Sequence, residues 1–167
     1  MKNYIGAPLL SALKEAFPAA EYDSEAAQPA VYIPAAELTA LLIFLRDDAR
    51  FGFARLENLT SADYKTYFEM VYHLFAWGPN VWITVKVKLD HDAPVVPSVT
   101  GVFPGAEFEE REVYDLMGIE FSGHPDLRRI LLAEDFTGHP LRKDYKQAAP
   151  PRVPRLRREG GRVYAAD

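Results

Sequence analysis

The residues with the most chemistry per position lie in one run, Glu107-Phe108-Glu109-Glu110-Arg111-Glu112-Val113-Tyr114-Asp115-Leu116-Met117-Gly118. On a helix, Arg111 stands one turn from both Glu107 and Asp115, and Glu112 and Asp115 share a neighbouring strip. The plainest reading of that spacing is a helix laced with surface ion pairs, each worth about 0.2–0.5 kcal/mol. Paired carboxylates such as Glu109 and Glu112 are also the raw material of a general acid–base hydrolase, although no sequence sign of a pocket accompanies them. Further on, Gly123-His124-Pro125 and Gly138-His139-Pro140 recur at a spacing of fifteen residues. These two histidines, with Asp126 and Asp135 close in sequence, offer nitrogen and oxygen ligands to a metal. Against that, structural metal sites take three or four ligands, and no thiol is present to help. A turn histidine serves as readily to hydrogen-bond backbone or to make a proton-sensitive contact.

What the chain lacks narrows the field. It contains no cysteine, whereas iron–sulfur clusters are held chiefly by thiolates and c-type haem is attached through them. The chain alone is therefore not expected to hold such a centre. A Gly-x-Gly-x-x-Gly fingerprint, a Gly-Lys-Ser/Thr phosphate loop, a His-Glu-x-x-His pair and a Gly-x-Ser-x-Gly elbow are all absent, so the usual signs of an autonomous enzyme are missing. At 167 residues with 49% hydrophobic content, one ordinary domain is expected. The greasiest stretch, Leu38 to Leu45, is interrupted by Thr39 and falls far short of the roughly 18 apolar residues that span a bilayer. The start, Met1-Lys2-Asn3-Tyr4, lacks the pattern of a secretory signal, so a cytoplasmic address is expected.

Charge is uneven beneath the net value of −5. From Arg142 to Arg162, eight basic residues face two acidic ones, giving that segment +6 and the remainder −11. A basic tail on an acidic body suits either an arm that binds a negatively charged surface or a solvated, disordered tail.

Regular elements must position these groups. Leu9, Leu10, Leu13 and Phe17 form one helical stripe over residues 7–17, stopped by Pro18. Val31-Tyr32-Ile33 reads as a strand, and Pro34 opens a second helix with Leu38, Leu41, Leu42 and Leu45 on its apolar face. Three strand-like segments come next, at Phe53 to Leu59, Tyr67 to Ala76 and Val81 to Leu89, with Gly78-Pro79-Asn80 turning the last two into an antiparallel hairpin. In the third segment Trp82, Thr84, Lys86 and Lys88 alternate with apolar residues, which predicts one buried face and one wet face. A charged helix from about Pro104 to Met117 ends on Gly118, a residue suited to a left-handed cap. The pattern predicts an α+β fold, a single domain with helices packed on a mixed or mainly antiparallel sheet and a turn-rich C-terminal extension. Residues 1–146 form that domain, and 147–167 a basic Pro/Arg-rich tail, extended or disordered unless docked on a partner.

The charged helix and the segment after it carry more than periodicity. Glu-Arg-Glu, two residues, an acid, two apolar residues, then His and Arg at fixed distances, ending on apolar residues, is filled here by Glu110, Arg111, Glu112, Asp115, Leu116, Met117, His124, Arg128, Ile130 and Leu131. This resembles, without departure, the signature of the thirty-kilodalton subunit family of respiratory complex I, the C subunit of the bacterial enzyme. The resemblance runs through Phe68 to Leu74, Val85 to Val87, Val96 to Val99 and Glu134 to Tyr145, covering roughly residues 53–146. The N-terminal third and the tail after Lys146 carry no match.

The resemblance implies a peripheral subunit on the cytoplasmic side of the bacterial inner membrane, packed in the hydrophilic arm against other complex I subunits, especially the one that helps form the quinone chamber. It implies no catalytic residue, cofactor or metal in this chain. FMN, iron–sulfur clusters and quinone are expected in partner subunits. Glu110, Arg111, Glu112, Asp115, His124, Arg128 and Arg129 are expected to form a buried or half-buried polar network at the contact with a neighbour, and His139, Arg142, Lys143, Asp144 and Tyr145 belong to the second matching block. Removing one member of a buried network costs about 3–5 kcal/mol, and Arg128→Ala should weaken assembly more than the isolated fold. Two rivals remain: the equivalent subunit of a membrane-bound nickel–iron hydrogenase or formate hydrogenlyase, and a polyanion-binding module. The second sits poorly with a strongly acidic body, since nucleic-acid binders usually pair a basic arm with a basic body or stacking aromatics.

Overall fold

A long hairpin organises the sheet. In the computed structural model, which describes residues 7–23, 30–78, 80–146, 156–159 and 162–165, strands β4 (Tyr67–Ala76) and β5 (Val81–Asp90) pair antiparallel in unbroken register from Tyr67–Asp90 to Ala76–Val81. Direct partners share a face, so Phe68, Met70, Tyr72 and Leu74 stand beside Leu89, Val87, Val85 and Ile83. All eight are buried. Around the hairpin the sheet adds β3 (Arg55–Asp63), β2 (Ala30–Tyr32) and β1 (Glu21–Asp23) in the order β1-β2-β5-β4-β3. Only the β2–β5 contact is parallel. This is the α+β arrangement with a mostly antiparallel mixed sheet.

Helices supply the other half of the core. Helix α1 (Ala7–Ala16) buries Leu9 and Leu13, and α2 (Leu38–Asp47), entered through a 3-10 turn at Ala35–Glu37, buries Leu38, Leu41, Leu42 and Leu45 at helical spacing. Helix α3 (Ala106–Met117) adds Val113 and Met117 to the same cluster. Truncating a fully buried leucine of α2 to alanine would cost about 2–5 kcal/mol. Among the described residues, no helix is long and apolar enough to cross a membrane.

Several details differ from the sequence reading. The strand expected at Phe53 to Leu59 begins instead at Arg55 and runs to Asp63. Phe51 and Phe53 are buried, but in the turn that closes α2, where the Phe53 N–H donates to the Leu45 carbonyl at 3.0 Å. Short strands β6 (Val95–Pro97) and β7 (Glu120–Ser122) pair parallel within stretches read as loop. On the second face of the hairpin, Lys86 is not freely solvated. Its ammonium lies 2.9 Å from the Glu69 carboxylate, whose side chain is 5% exposed. In the tail, β8 (Leu156–Glu159) and β9 (Arg162–Ala165) pair antiparallel; most of the basic arm otherwise lies outside the described residues.

Candidate functional site

Helix α3 carries an unusual cargo for its buried side. Alongside Ala106, Val113 and Met117 it buries Glu110, Arg111 and Asp115. Charged groups at these positions persist only where each finds a partner, and each does.

Glu110 is fully buried, and its two oxygens accept hydrogen bonds from the Val99 N–H at 2.6 Å and the Ser98 hydroxyl at 2.7 Å. It thereby pins the loop after β6 to the helix. Burial pushes its carboxyl above the usual value, against the pull of those two donors. The side chain of His124 is shut from solvent, with Nε2 donating to the Glu107 carbonyl at 3.1 Å and Nδ1 accepting the Asp126 N–H at 3.0 Å. The second bond requires an unprotonated Nδ1, which fixes the tautomer and turns the histidine into a buckle between α3 and the following turn.

Asp115 does the most. One oxygen meets the Arg129 guanidinium at 2.8 Å, and the other accepts three consecutive backbone N–H groups, from Ile130, Leu131 and Leu132, at 2.8–3.0 Å. The side chain is fully buried. Burial alone would raise its carboxyl, but these donors outweigh that and hold it below the ordinary range. Three amides converging on one carboxylate oxygen leave the loop at Ile130–Leu132 little freedom.

The end of α3 is closed by the same extension. The last carbonyls of a helix lack intrahelical donors. Here the Asp115 carbonyl receives the His139 Nδ1–H at 2.9 Å, the Leu116 carbonyl receives the Leu141 N–H at 3.1 Å, and Arg142 donates to Met117 at 2.6 Å and Gly118 at 3.1 Å. Gly118 takes the left-handed conformation, φ 67°. A Cβ there would come within 2.5 Å of His139. Arg129 and Arg142 also place positive charge where the helix dipole favours it.

The expected residues are therefore not one cluster. Glu110 holds the loop after β6 and His124 the start of the extension, while Asp115, Arg129, His139 and Arg142 hold its later part. Arg111 is buried, but in place of the Glu107 and Asp115 carboxylates its Nε donates to the Arg128 backbone carbonyl at 3.3 Å, and its guanidinium lies over the Phe108 ring. Glu112 is exposed. The side chain of Arg128 is 71% exposed and pairs with exposed Asp126, so the expected buried role falls to its carbonyl. The Lys143 N–H donates to Asp63 at 2.7 Å, Asp144 is exposed, and the Tyr145 ring stacks on Phe136. The Glu109 and Glu112 pair is not a catalytic dyad in appearance, since Glu109 accepts the Leu59 N–H while Glu112 faces solvent.

Sequence reasoning missed Ser98, Asp63 and the loop amides as partners. No local spacing signals them, because Asp63 meets Lys143 across 80 residues. Around this network four large apolar side chains stand exposed: Phe108 at 63%, Ile130 at 36%, Leu131 at 60% and Leu141 at 59%.

A model of the family described as respiratory-chain NADH dehydrogenase, 30 Kd subunit, matches residues 31–151. The chain belongs to that family. The C subunit of the NADH-quinone oxidoreductase from Moorella thermoacetica is 45% identical over 151 residues, 89% of this chain and 95% of the relative. That of Mesorhizobium japonicum is 42% identical over 148 residues, 87% and 70% respectively. Among solved structures, the trypsin-resistant fragment (1-134) of Nqo5 superposes with a TM-score of 0.61 at 29% identity, over 72% of this chain and 97% of that one. A chain of the membrane-bound sulfane sulfur reductase, an archaeal respiratory membrane complex, gives 0.73 at 25% identity over 86% of both. In this 30 Kd family member the matched span contains α3 and the extension that closes it.

Proposed function

We propose that this 30 Kd-family subunit is a passive bracket in the peripheral arm of a proton-translocating NADH:quinone oxidoreductase. It binds no flavin, cluster or quinone itself, and it fixes electron-carrying neighbours, above all the subunit that helps form the quinone chamber, on the cytoplasmic side of the membrane. The relatives named as C subunits of NADH-quinone oxidoreductases support the choice of machine.

One observation carries the bracket role. The Asp115 carboxylate clamps the backbone of residues 130–132, leaving Ile130 and Leu131 pointing outward with 36% and 60% exposure. A loop held this stiffly presents its apolar side chains at little further entropic cost on binding. Exposed apolar groups on a rigid frame are what a permanent neighbour covers.

The test is Leu131→Asp in the native complex. Co-purification of the peripheral arm should fall at least about tenfold, as expected for an anchor residue at an interface, while the Tm of the isolated chain stays within about 2 °C of wild type. Normal assembly of that variant, or NADH oxidation by the purified chain alone, would refute the bracket reading. The likeness to the sulfane sulfur reductase chain favours one second reading, in which the same bracket serves a respiratory assembly with another electron donor, such as a nickel–iron hydrogenase or formate hydrogenlyase. Flavin and nickel content of the co-purified assembly separates the two.

A further inference from the structure

Away from the helix network, three potential ligands from distant parts of the chain converge: Asp63 at the end of β3, His91 just after β5 and Asp144 in the extension. One ligand atom from each lies within 4.8 Å of the other two. We propose that Asp63, His91 and Asp144 bind one zinc-class divalent cation that ties the C-terminal extension to the end of the sheet. Nothing in this inference depends on which respiratory complex the subunit serves.

The decisive group is His91. Its Nε2 is shut from solvent and has no hydrogen-bond partner, a costly condition for a buried polar atom. It lies 3.7 Å from Asp63 Oδ1, too far for a hydrogen bond. That separation suits a shared cation. With metal–ligand bonds of about 2.1 Å, a 3.7 Å gap subtends an angle of about 120°, close to tetrahedral. The ring cannot easily turn away, because it stacks on Phe68 at 4.7 Å and 9°.

The carboxylates are equally prepared. Asp63 has a side chain only 2% exposed, and its oxygens each accept one backbone N–H, from Lys65 at 2.5 Å and Lys143 at 2.7 Å. A carboxylate oxygen has a second lone pair left over for a metal, and the amide bonds fix its direction, as groups behind metal ligands do. Asp144 follows Lys143, so its backbone is anchored next to Asp63 while its exposed carboxylate is free to swing. A swing of about an ångström completes three ligands, with water as the fourth.

The ligand chemistry selects the ion. One imidazole with two carboxylates and no thiol suits zinc better than calcium or magnesium, which favour all-oxygen shells of six or more. Two carboxylates balance the charge of the dication. Of the cations nearby, the Lys143 ammonium lies over the Tyr64 ring at 5.7 Å while its charge also reaches Asp63, and Arg142 lies over Phe68 at 5.0 Å. Such an ion is redox-inert, so the site adds a clasp to the bracket and no electron carrier.

The experiment uses the untagged full-length chain, stripped with chelator and titrated calorimetrically with zinc chloride. One zinc per chain should bind, and Tm should rise by about 5–10 °C at a hundredfold excess over Kd. Asp144→Asn, an exposed substitution that leaves the fold intact, should lose at least about tenfold in affinity, and His91→Gln should lose the Tm rise. Absence of stoichiometric binding, or equal affinity in Asp144→Asn, overturns the proposal and leaves Asp63 and His91 as a metal-free pair.

Discussion

Asp115 and Arg129 meet at 2.8 Å beneath the last turn of α3, and the same carboxylate gathers the amides of the three residues that come after Arg129. A side chain and the loop it shapes thus share one anion. Its loss would remove an ion pair and the loop's conformation together.

Asp115→Asn should therefore destabilise the isolated chain by about 2–4 kcal/mol at pH 7. The native pKa lies below the unfolded one, so ionised Asp115 contributes stability above about pH 3.9, and that contribution is lost as pH falls through the folded-state value. Urea midpoints of wild type and variant should converge as the buffer is taken toward pH 3. A constant gap across pH would sink this account.

Glu110, one turn earlier, should behave with the opposite sign. Burial raises its pKa, so its contribution to stability is greatest below the unfolded value of about 4.3 and declines as pH rises through the higher folded-state value. Glu110→Gln keeps an acceptor for the Val99 N–H and can donate to the Ser98 hydroxyl. We expect it to be within about 1 kcal/mol of wild type at pH 8, with a flatter pH profile above pH 4.5. Thermal melts between pH 4.5 and 8 test this directly.

At Gly118 two requirements coincide, a left-handed backbone and a close approach by His139 and Arg142. Gly118→Ala should cost about 2 kcal/mol or more. Gly118→Asn separates the causes, since asparagine tolerates the backbone but brings the same Cβ. Denaturant curves showing Asn at wild-type stability would eliminate the close approach as a cause.

On the second face of the sheet, Lys86→Met should strand the Glu69 carboxylate, whose side chain is 5% exposed, at a cost of about 2–3 kcal/mol. Adding Glu69→Gln should recover more than half of it. A double-mutant cycle with no coupling would show that solvent reaches the pair freely.

What could be read from the sequence were the features that obey local rules. The hairpin from Tyr67 to Asp90 declares itself by alternation and turn residues, and the α3 terminus by Gly118. Three-residue strands such as β1, β6 and β7 are too short for any period to register. Phe53 misled because a buried aromatic serves a helix-closing turn as well as a strand. The wiring of the site was not legible, and Glu112, Arg128 and Asp144, expected with the rest, turn their side chains to solvent. Arg111 was expected to answer acids four residues away and instead holds a backbone carbonyl seventeen residues on, a partner that any residue type could supply.

The outer strand of the sheet has a consequence of its own. As the last member of the order, β3 offers unpaired amides to any passing polypeptide, yet its register slips between Leu56 and Asn58, and the Leu59 amide is already taken by the Glu109 carboxylate from α3. A foreign strand arriving there finds a kinked margin and an occupied donor. Helix α3, besides shaping the extension, thus blunts the edge of the sheet against strand addition.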